Sequence, residues 1–251
     1  MTAAATASWL TGETCLVRTT DEVLLTAQYD VARYDPFDFD RHGVVLPPEF
    51  GQAVAKRQAE FLAGRVLAKR AMTLLGSSGA PPTRGALGEP LFAKGVRGSI
   101  SHSQGRVGVW VTRRPCDLGL DIEHLAAGAR GDAIRQVALT EAERAMQLSD
   151  AAVTTAFSAK EALYKALFPT VGRRFGFDAA ELLHAPDASR ARLRLTRNLA
   201  PGLPAGQILT IKVSWTGKQV MTQCTAGPFG QGRCGAAYSD RSRNLRMEPA
   251  I

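Results

Sequence analysis

The sequence predicts an α+β protein made of two similar halves, each with a helix packed on antiparallel strands. Three observations carry that prediction. A run from about Gln52 to Leu75 has the apolar spacing of a long helix. Short runs rich in β-branched residues follow it and alternate between apolar and polar positions. Two helical segments also align without gaps at an offset of 96 residues, FLAGRVLAKRAM (61–72) over FSAKEALYKALF (157–168). Phe61/Phe157, Ala63/Ala159, Leu67/Leu163 and Lys69/Lys165 coincide. Helices rich in Ala, Leu and Lys often look alike, so the match alone only suggests a repeat. Read as one, it divides the chain into an N-terminal half, 1–114, and a C-terminal half, 115–251.

The first clear element is the helix from Gln52 to Leu75, in which Phe61, Gly64, Ala68, Met72 and Leu75 form an apolar stripe. Lys56, Arg57, Arg65, Lys69 and Arg70 occupy its other faces, and Gly76 with the Ser-Ser-Gly-Ala-Pro-Pro stretch stops it. Ser99–Ser103 and Val107–Thr112 read as strands around a turn at Gly105, and Arg113-Arg114-Pro115 as the boundary between halves. A strand over Leu118–Glu123 opens the second half. Helices follow around Asp132–Leu139, Thr140–Gln147 and Val153–Phe168, the last ended by Pro169. Arg192–Arg197, Ile208–Trp215 and Gln219–Thr225 alternate as antiparallel strands, and a loose Gly/Arg-rich tail is expected from Gly227 onward.

Composition narrows the function. With 45% hydrophobic and 22% charged residues the chain is of the folded globular class, neither disordered nor collagen-like nor a disulfide scaffold. Thirty-one Lys and Arg against 23 Asp and Glu leave a net charge of +8, which asks for an anionic partner: nucleic acid, membrane surface, acidic protein or phosphorylated small molecule. The four cysteines form no CxxC or CxxH pair, so no zinc knuckle or thioredoxin-like motif is expected. The Ala/Thr-rich N-terminus lacks the basic and apolar regions of a secretory signal. No stretch approaches the roughly 20 apolar residues of a membrane span. A cytoplasmic protein is the expectation.

The chemistry-bearing residues cluster around one strand and one helix. In Leu118-Gly-Leu-Asp-Ile-Glu123 the period of two puts Leu118, Leu120 and Ile122 on one face and Asp121 and Glu123 on the other, with α-carbons roughly 6.5 Å apart. Two such carboxylates suit a hard cation such as Mg²⁺, although an isolated pair of this kind is commonly just a solvated strand end. On the helix, Ser158, Glu161 and Lys165 share one side, and Lys160 interrupts the apolar arc of Phe157, Leu163, Tyr164, Leu167 and Phe168. Lys160 must therefore snorkel outward or meet an anion. Glu161 and Lys165 alone would be a surface pair worth about 0.2–0.5 kcal/mol. Beside Asp121 and Glu123 they describe a metal-phosphate site better. His102 lies among hydroxyls and glycines in Ser99–Ser103, where it could meet a phosphate, although a lone histidine is more often unremarkable. Arg57, Arg65 and Arg84 are equally compatible with solvated basic surfaces.

Taken together, KRQAEFLAGRVLAKRAM (56–72), GEPLFAKGVRGSISHS (88–103), GLDIE (119–123) and FSAKEALYKALFP (157–169) resemble the 4′-phosphopantetheinyl transferases of the enterobactin-synthase component D and surfactin-synthetase-activating type, in that family's order and spacing. The resemblance implies the fold of that family, a monomer of two α+β halves related by a pseudo-two-fold with the site in the cleft between them. It implies transfer of the phosphopantetheine arm of coenzyme A to a serine of apo acyl or peptidyl carrier proteins, with Mg²⁺, releasing 3′,5′-ADP. By position it makes Asp121, Glu123 and Glu161 the metal ligands, with Glu161 and Lys165 catalytic. Lys160 and Lys165 become phosphate contacts, His102 with Ser101 the holders of the 3′-phosphate, and Arg57, Arg65 and Arg84 basic residues around it. Glu89 departs from the pattern where surfactin-type members carry a base, which suggests that Arg84 supplies that charge; Leu91-Phe92-Ala93 replaces the usual Trp-Pro.

The rival readings are a Mg²⁺-dependent nuclease and a basic nucleic-acid-binding module. Leu125, two positions after Glu123, stands where the nuclease pattern wants lysine, and the aromatic residues mostly hold core spacings rather than interleaving with exposed bases. No Walker motif is present. Neither nucleic acid nor membrane is the expected partner.

Overall fold

In a computed structural model, residues 8–77 and 79–227 are described. The Gly/Arg-rich tail expected from Gly227 lies outside them apart from Gly227 itself. The chain is α+β. Apart from one short two-stranded hairpin, its strands form two antiparallel sheets, each carrying a long helix on one face.

In the first half, β1 (Leu10–Arg18), β2 (Glu22–Tyr29), β5 (Arg97–Ser103) and β6 (Arg106–Thr112) pair in the order β1-β2-β6-β5. The short β3 (Thr83–Arg84) and β4 (Pro90–Leu91) form a separate hairpin. A short α1 (Asp38–His42) precedes α2 (Ala55–Leu74), the predicted long helix. Leu62, Ala63, Val66, Leu67 and Ala71 of α2 bury against Val23, Leu25, Val109 and Val111 of the sheet in one apolar core. Side chains such as these leucines and valines stabilise the core by about 1.5–3 kcal/mol each. The predicted turn is a two-residue one, Gln104-Gly105, with φ of 45° and 82°. Both values lie in the left-handed region that a type I′ hairpin demands, and glycine at the second position accommodates it.

In the second half, β7 (Asp117–His124) is followed by α3 (Ala129–Ala138), α4 (Glu141–Ala145) and α5 (Asp150–Val171). The chain then adds β8 (Ala180–Leu182), β9 (Arg190–Leu195), β10 (Ile208–Thr216) and β11 (Gln219–Ala226), giving the order β7-β11-β10-β9-β8. Leu163, Ala166 and Leu167 of α5 bury against Leu193, Ile211, Val213 and Cys224. Pro169 does not end α5 as expected. The helix runs through it to Val171 and stops at Gly172, whose φ of 66° makes the left-handed cap. Proline removes a single hydrogen bond here, in the last turn, and the Gly172 N–H closes that turn on the Phe168 carbonyl at 2.8 Å.

The halves meet where β5 and β7, edge strands of their respective sheets, run side by side. Leu118 and Leu120 on one face of β7 bury with Leu24, Trp110 and Cys116 in a third apolar cluster. On the opposite face α5 lies so close to β7 that a Cβ on Gly119 would come within 1.8 Å of the Ala162 carbonyl oxygen, so only glycine fits there.

Candidate active site

Along β5, Ser99, Ser101 and Ser103 all point towards β7, as the period of two requires. The Ser99 and Ser101 hydroxyls accept the β7 backbone N–H groups of Leu120 and Ile122 at 2.9 and 3.1 Å. Edge-strand donors that would otherwise be orphaned in the interior are thereby satisfied. Ser101 Oγ donates to Asp121 Oδ1 at 2.9 Å, and Ser103 Oγ to Glu123 Oε2 at 3.2 Å. The expectation that Ser101 helps to hold a phosphate is corrected: its hydroxyl is buried and committed to the seam between the halves.

The other face of the same carboxylates meets α5. Asp121 accepts Ser158 Oγ at 2.8 Å and Lys165 Nζ at 2.7 Å, and Lys165 also donates to the Leu120 carbonyl at 3.0 Å. Glu123 accepts Arg130 at 2.7 Å. Glu161 completes the group: burial pushes its carboxyl up, Lys165 pulls it down, and Asp121 and Glu123 raise it further. Glu123 behaves alike, raised first by burial and then by Asp121, with Arg130 and Ser103 opposing. Three largely buried carboxylates thus repel one another, compensated by Lys165 and Arg130. As the side chains stand, no three Asp, Glu, His or Cys residues among the described ones are arranged to hold a metal ion. The donor set nevertheless fits one, because three carboxylates with no nitrogen or sulfur among them are the ligands a hard divalent cation takes. Lys165 and Arg130 now neutralise the oxygens such an ion would use.

Lys160 is a correction. Although it neighbours Glu161 in sequence, helical geometry turns it away from the carboxylates and into the second core, where it is 3% exposed. Its ammonium donates to Glu143 at 2.6 Å, to the Ala138 carbonyl at 2.8 Å and to the Phe177 carbonyl at 3.3 Å. Those bonds use all three of its protons, so none is available to a phosphate. Glu143, itself fully buried, also accepts the Thr140 and Leu182 backbone N–H groups at 2.7 Å each. The anion that the apolar arc of α5 requires is a protein carboxylate.

Arg57, Arg65, Arg84, His102 and Lys165 line one cleft of about 860 Å³, walled by both halves. Arg65 is the deepest of the guanidinium groups at 7% exposure. It stacks 4.1 Å over the Phe61 ring and donates to the Pro82 carbonyl at 3.2 Å. Burial, then Arg84 and Arg57, bring its pKa down to about 10. His102 is pushed down to about 4, by burial first and then by Lys165, Arg57, Arg65 and Lys56. It is therefore neutral at pH 7. Arg57 lies 3.6 Å from Glu60, and Arg84 makes a 2.6 Å pair with Glu49. Glu89 is turned onto its own loop, accepting the Leu87 N–H at 3.0 Å. From the second half, Arg174 reaches the cleft and donates to the Leu87 carbonyl at 3.3 Å.

Because the folded imidazole of His102 refuses a proton that the unfolded one accepts near its ordinary 6.5, the unfolded state binds more protons between about pH 6.5 and 4. Stability contributed by this group is present above 6.5 and is lost as pH falls towards 4. Thermal melts at pH 7, 6 and 5 should show a steeper acid-side decline for the wild type than for His102→Gln; equal slopes would remove this role.

The sequence reading missed several of these residues. Arg130 and Arg174 belong to no motif and reach the site only through the fold, and Glu60, though inside the 56–72 segment, was not singled out. The alternation of Ser99, Ser101 and Ser103 and the Thr140-x-x-Glu143 capping pattern were visible signals of the seam and of the partner of Lys160.

Residues 47–112 match the family model described as 4′-phosphopantetheinyl transferase N-terminal domain, and residues 117–207 match that of the 4′-phosphopantetheinyl transferase superfamily. The 4′-phosphopantetheinyl transferase Svp of Streptomyces mobaraensis is 35% identical over 162 residues, 62% of this chain and 65% of the relative. PptT of Mycobacterium tuberculosis, also named a 4′-phosphopantetheinyl transferase, is 35% identical over 57% of this chain and 65% of its own length. Enterobactin synthase component D of Escherichia coli O157:H7 is 34% identical over 53% of this chain and 67% of its own. The matched stretch thus spans just under two thirds of the first two relatives.

Proposed function

Because the chain belongs to the 4′-phosphopantetheinyl transferase superfamily, we propose that it moves the phosphopantetheine arm of coenzyme A onto a serine of an apo acyl or peptidyl carrier protein. The observation that carries this reading is Arg65: a deeply buried guanidinium whose electrostatic neighbours in the cleft are further cations. A cation so placed is stabilised by an anionic guest.

In this reading the 3′-phosphate of coenzyme A lies against Arg65, Arg57, Arg84 and His102, and the pyrophosphate extends towards Lys165 and the carboxylates. Asp121, Glu123 and Glu161 would hold Mg²⁺, which supplies charge neutralisation to the pyrophosphate. The serine Oγ bonds to the phosphorus that carries the pantetheine. The bond from that phosphorus to the nucleotide oxygen breaks, and 3′,5′-ADP leaves. Glu161 takes the serine proton, a task suited to a carboxyl raised by burial and by two neighbouring acids. Lys165, between Asp121 and the cleft, stabilises negative charge on the departing nucleotide. Most of the work is positioning and neutralisation, as phosphoryl transfer requires.

Intact mass spectrometry of a panel of apo carrier proteins incubated with the protein, Mg²⁺ and coenzyme A tests the proposal. A gain equal to one phosphopantetheine on at least one carrier is expected; no gain on any carrier would refute it. The division into halves at 114/115, a monomeric state and a cytoplasmic location belong to the same reading. Among the described residues no helix is long and apolar enough to cross a membrane.

A further inference from the structure

One charged side chain at the carboxylate cluster has no part in that mechanism: Arg130, whose guanidinium lies 2.7 Å from Glu123 Oε2, the oxygen that also accepts Ser103. We propose that Arg130 competes with the divalent cation for Glu123 and keeps the carboxylate occupied until metal and coenzyme A arrive together. The inference rests on the metal reading above.

The base of Arg130 is held while its head is free to leave. After β7 the chain is tied down by the Leu125 N–H on the Lys218 carbonyl at 2.7 Å and by the Ala126 N–H on Thr154 Oγ1 at 3.0 Å. Gly128, at φ 57° and ψ −141°, then turns the backbone into α3, a conformation open to glycine. Arg130 is the second residue of that helix, and its side chain remains 42% exposed. Lys165 makes the matching contact to Asp121, but it is also bonded to the Leu120 carbonyl and is only 26% exposed, so it is the fixed partner.

Charge supports this division of roles. With Lys165 alone, the three ionised carboxylates keep a net charge of −2, the amount a divalent cation cancels; with Arg130 in place only −1 remains. Coenzyme A would bring pyrophosphate charge beside the site and tip the balance from the singly charged guanidinium to the doubly charged ion.

The test uses the full chain and Mn²⁺ as probe, with free Mn²⁺ read by electron paramagnetic resonance in the absence of coenzyme A. Arg130→Gln should bind Mn²⁺ about fivefold tighter than wild type, as loss of a partly exposed ion pair allows. Arg130→Lys should stay near wild type. Arg190→Gln, which removes an exposed charge on the remote β9, should also leave affinity unchanged. Equal or weaker binding by Arg130→Gln, or the same gain in Arg190→Gln, would overturn the inference. A parallel titration with coenzyme A separates the two readings. If wild type takes up Mn²⁺ there but Arg130→Gln shows no gain without coenzyme A, the competition alone fails; if neither protein binds Mn²⁺ under either condition, the metal reading falls with it.

Discussion

Glu161→Gln is expected to lower transfer to carrier protein by about 10²- to 10⁴-fold, the span that a positioned proton acceptor supplies. Coenzyme A binding should stay near wild type. The substitution keeps the shape of the side chain and leaves Arg57, Arg65, Arg84 and His102 untouched in the cleft. It also removes a negative charge that Asp121 and Glu123 oppose, so the fold should not suffer. Single-turnover assays by mass spectrometry, paired with calorimetric binding of coenzyme A, separate the outcomes. Near-normal turnover would take Glu161 out of both its proposed roles, proton acceptor and ligand.

Lys160→Ala should instead destabilise the fold by about 3–5 kcal/mol, the cost of leaving a buried carboxylate without its cation. Glu143 is fully buried and receives three donors, and Lys160 is the only charged one of the three. Lys160→Met paired with Glu143→Gln should recover part of that loss. The amide keeps a carbonyl acceptor for one of the Thr140 and Leu182 N–H groups, which bond to separate oxygens of Glu143, while the stranded charge is gone. Chemical denaturation of both variants checks the difference. A fully stable Lys160→Ala protein that had lost coenzyme A affinity would restore Lys160 to the phosphate site.

These two neighbouring residues show what a sequence can reveal and where it stops. The period of two in β7 and of 3.6 in α5 suffices to place Asp121 and Glu123 on one face and Glu161 with Lys165 on another. The fold brings those faces together. Lys160 was legible as a cation on an apolar arc, but the identity of its anion was not, because Glu143 lies on a different helix. Ser101 was read through its neighbour His102, yet alternation along β5 sends the two side chains to opposite faces: one to the seam with β7, the other into the cleft. β1 and β2 escaped the reading because β2, buried on both sides over nearly its whole length, lacks the alternation that marks a half-exposed strand. Pro169 was expected to stop α5, and Gly172 does so three residues later.

The net charge of +8 acquires a more definite place in this structure. Arg57, Arg65, Arg84, Arg97, Lys165 and Arg174 line one cleft against Glu60, Glu89 and Asp117, so the cleft is itself electropositive. That imbalance is the basis for assigning the 3′-phosphate of coenzyme A to the Arg65 end.

The most direct measurement is therefore the ratio of kcat/KM for coenzyme A over 3′-dephospho-coenzyme A, in wild type and in Arg65→Gln. The wild-type ratio should favour coenzyme A by about tenfold or more, as a hydrogen-bonded charge contact provides, and Arg65→Gln should collapse most of that preference while sparing the use of the dephospho substrate. An equal preference in both proteins would place the 3′-phosphate elsewhere and contradict the assignment of this cleft.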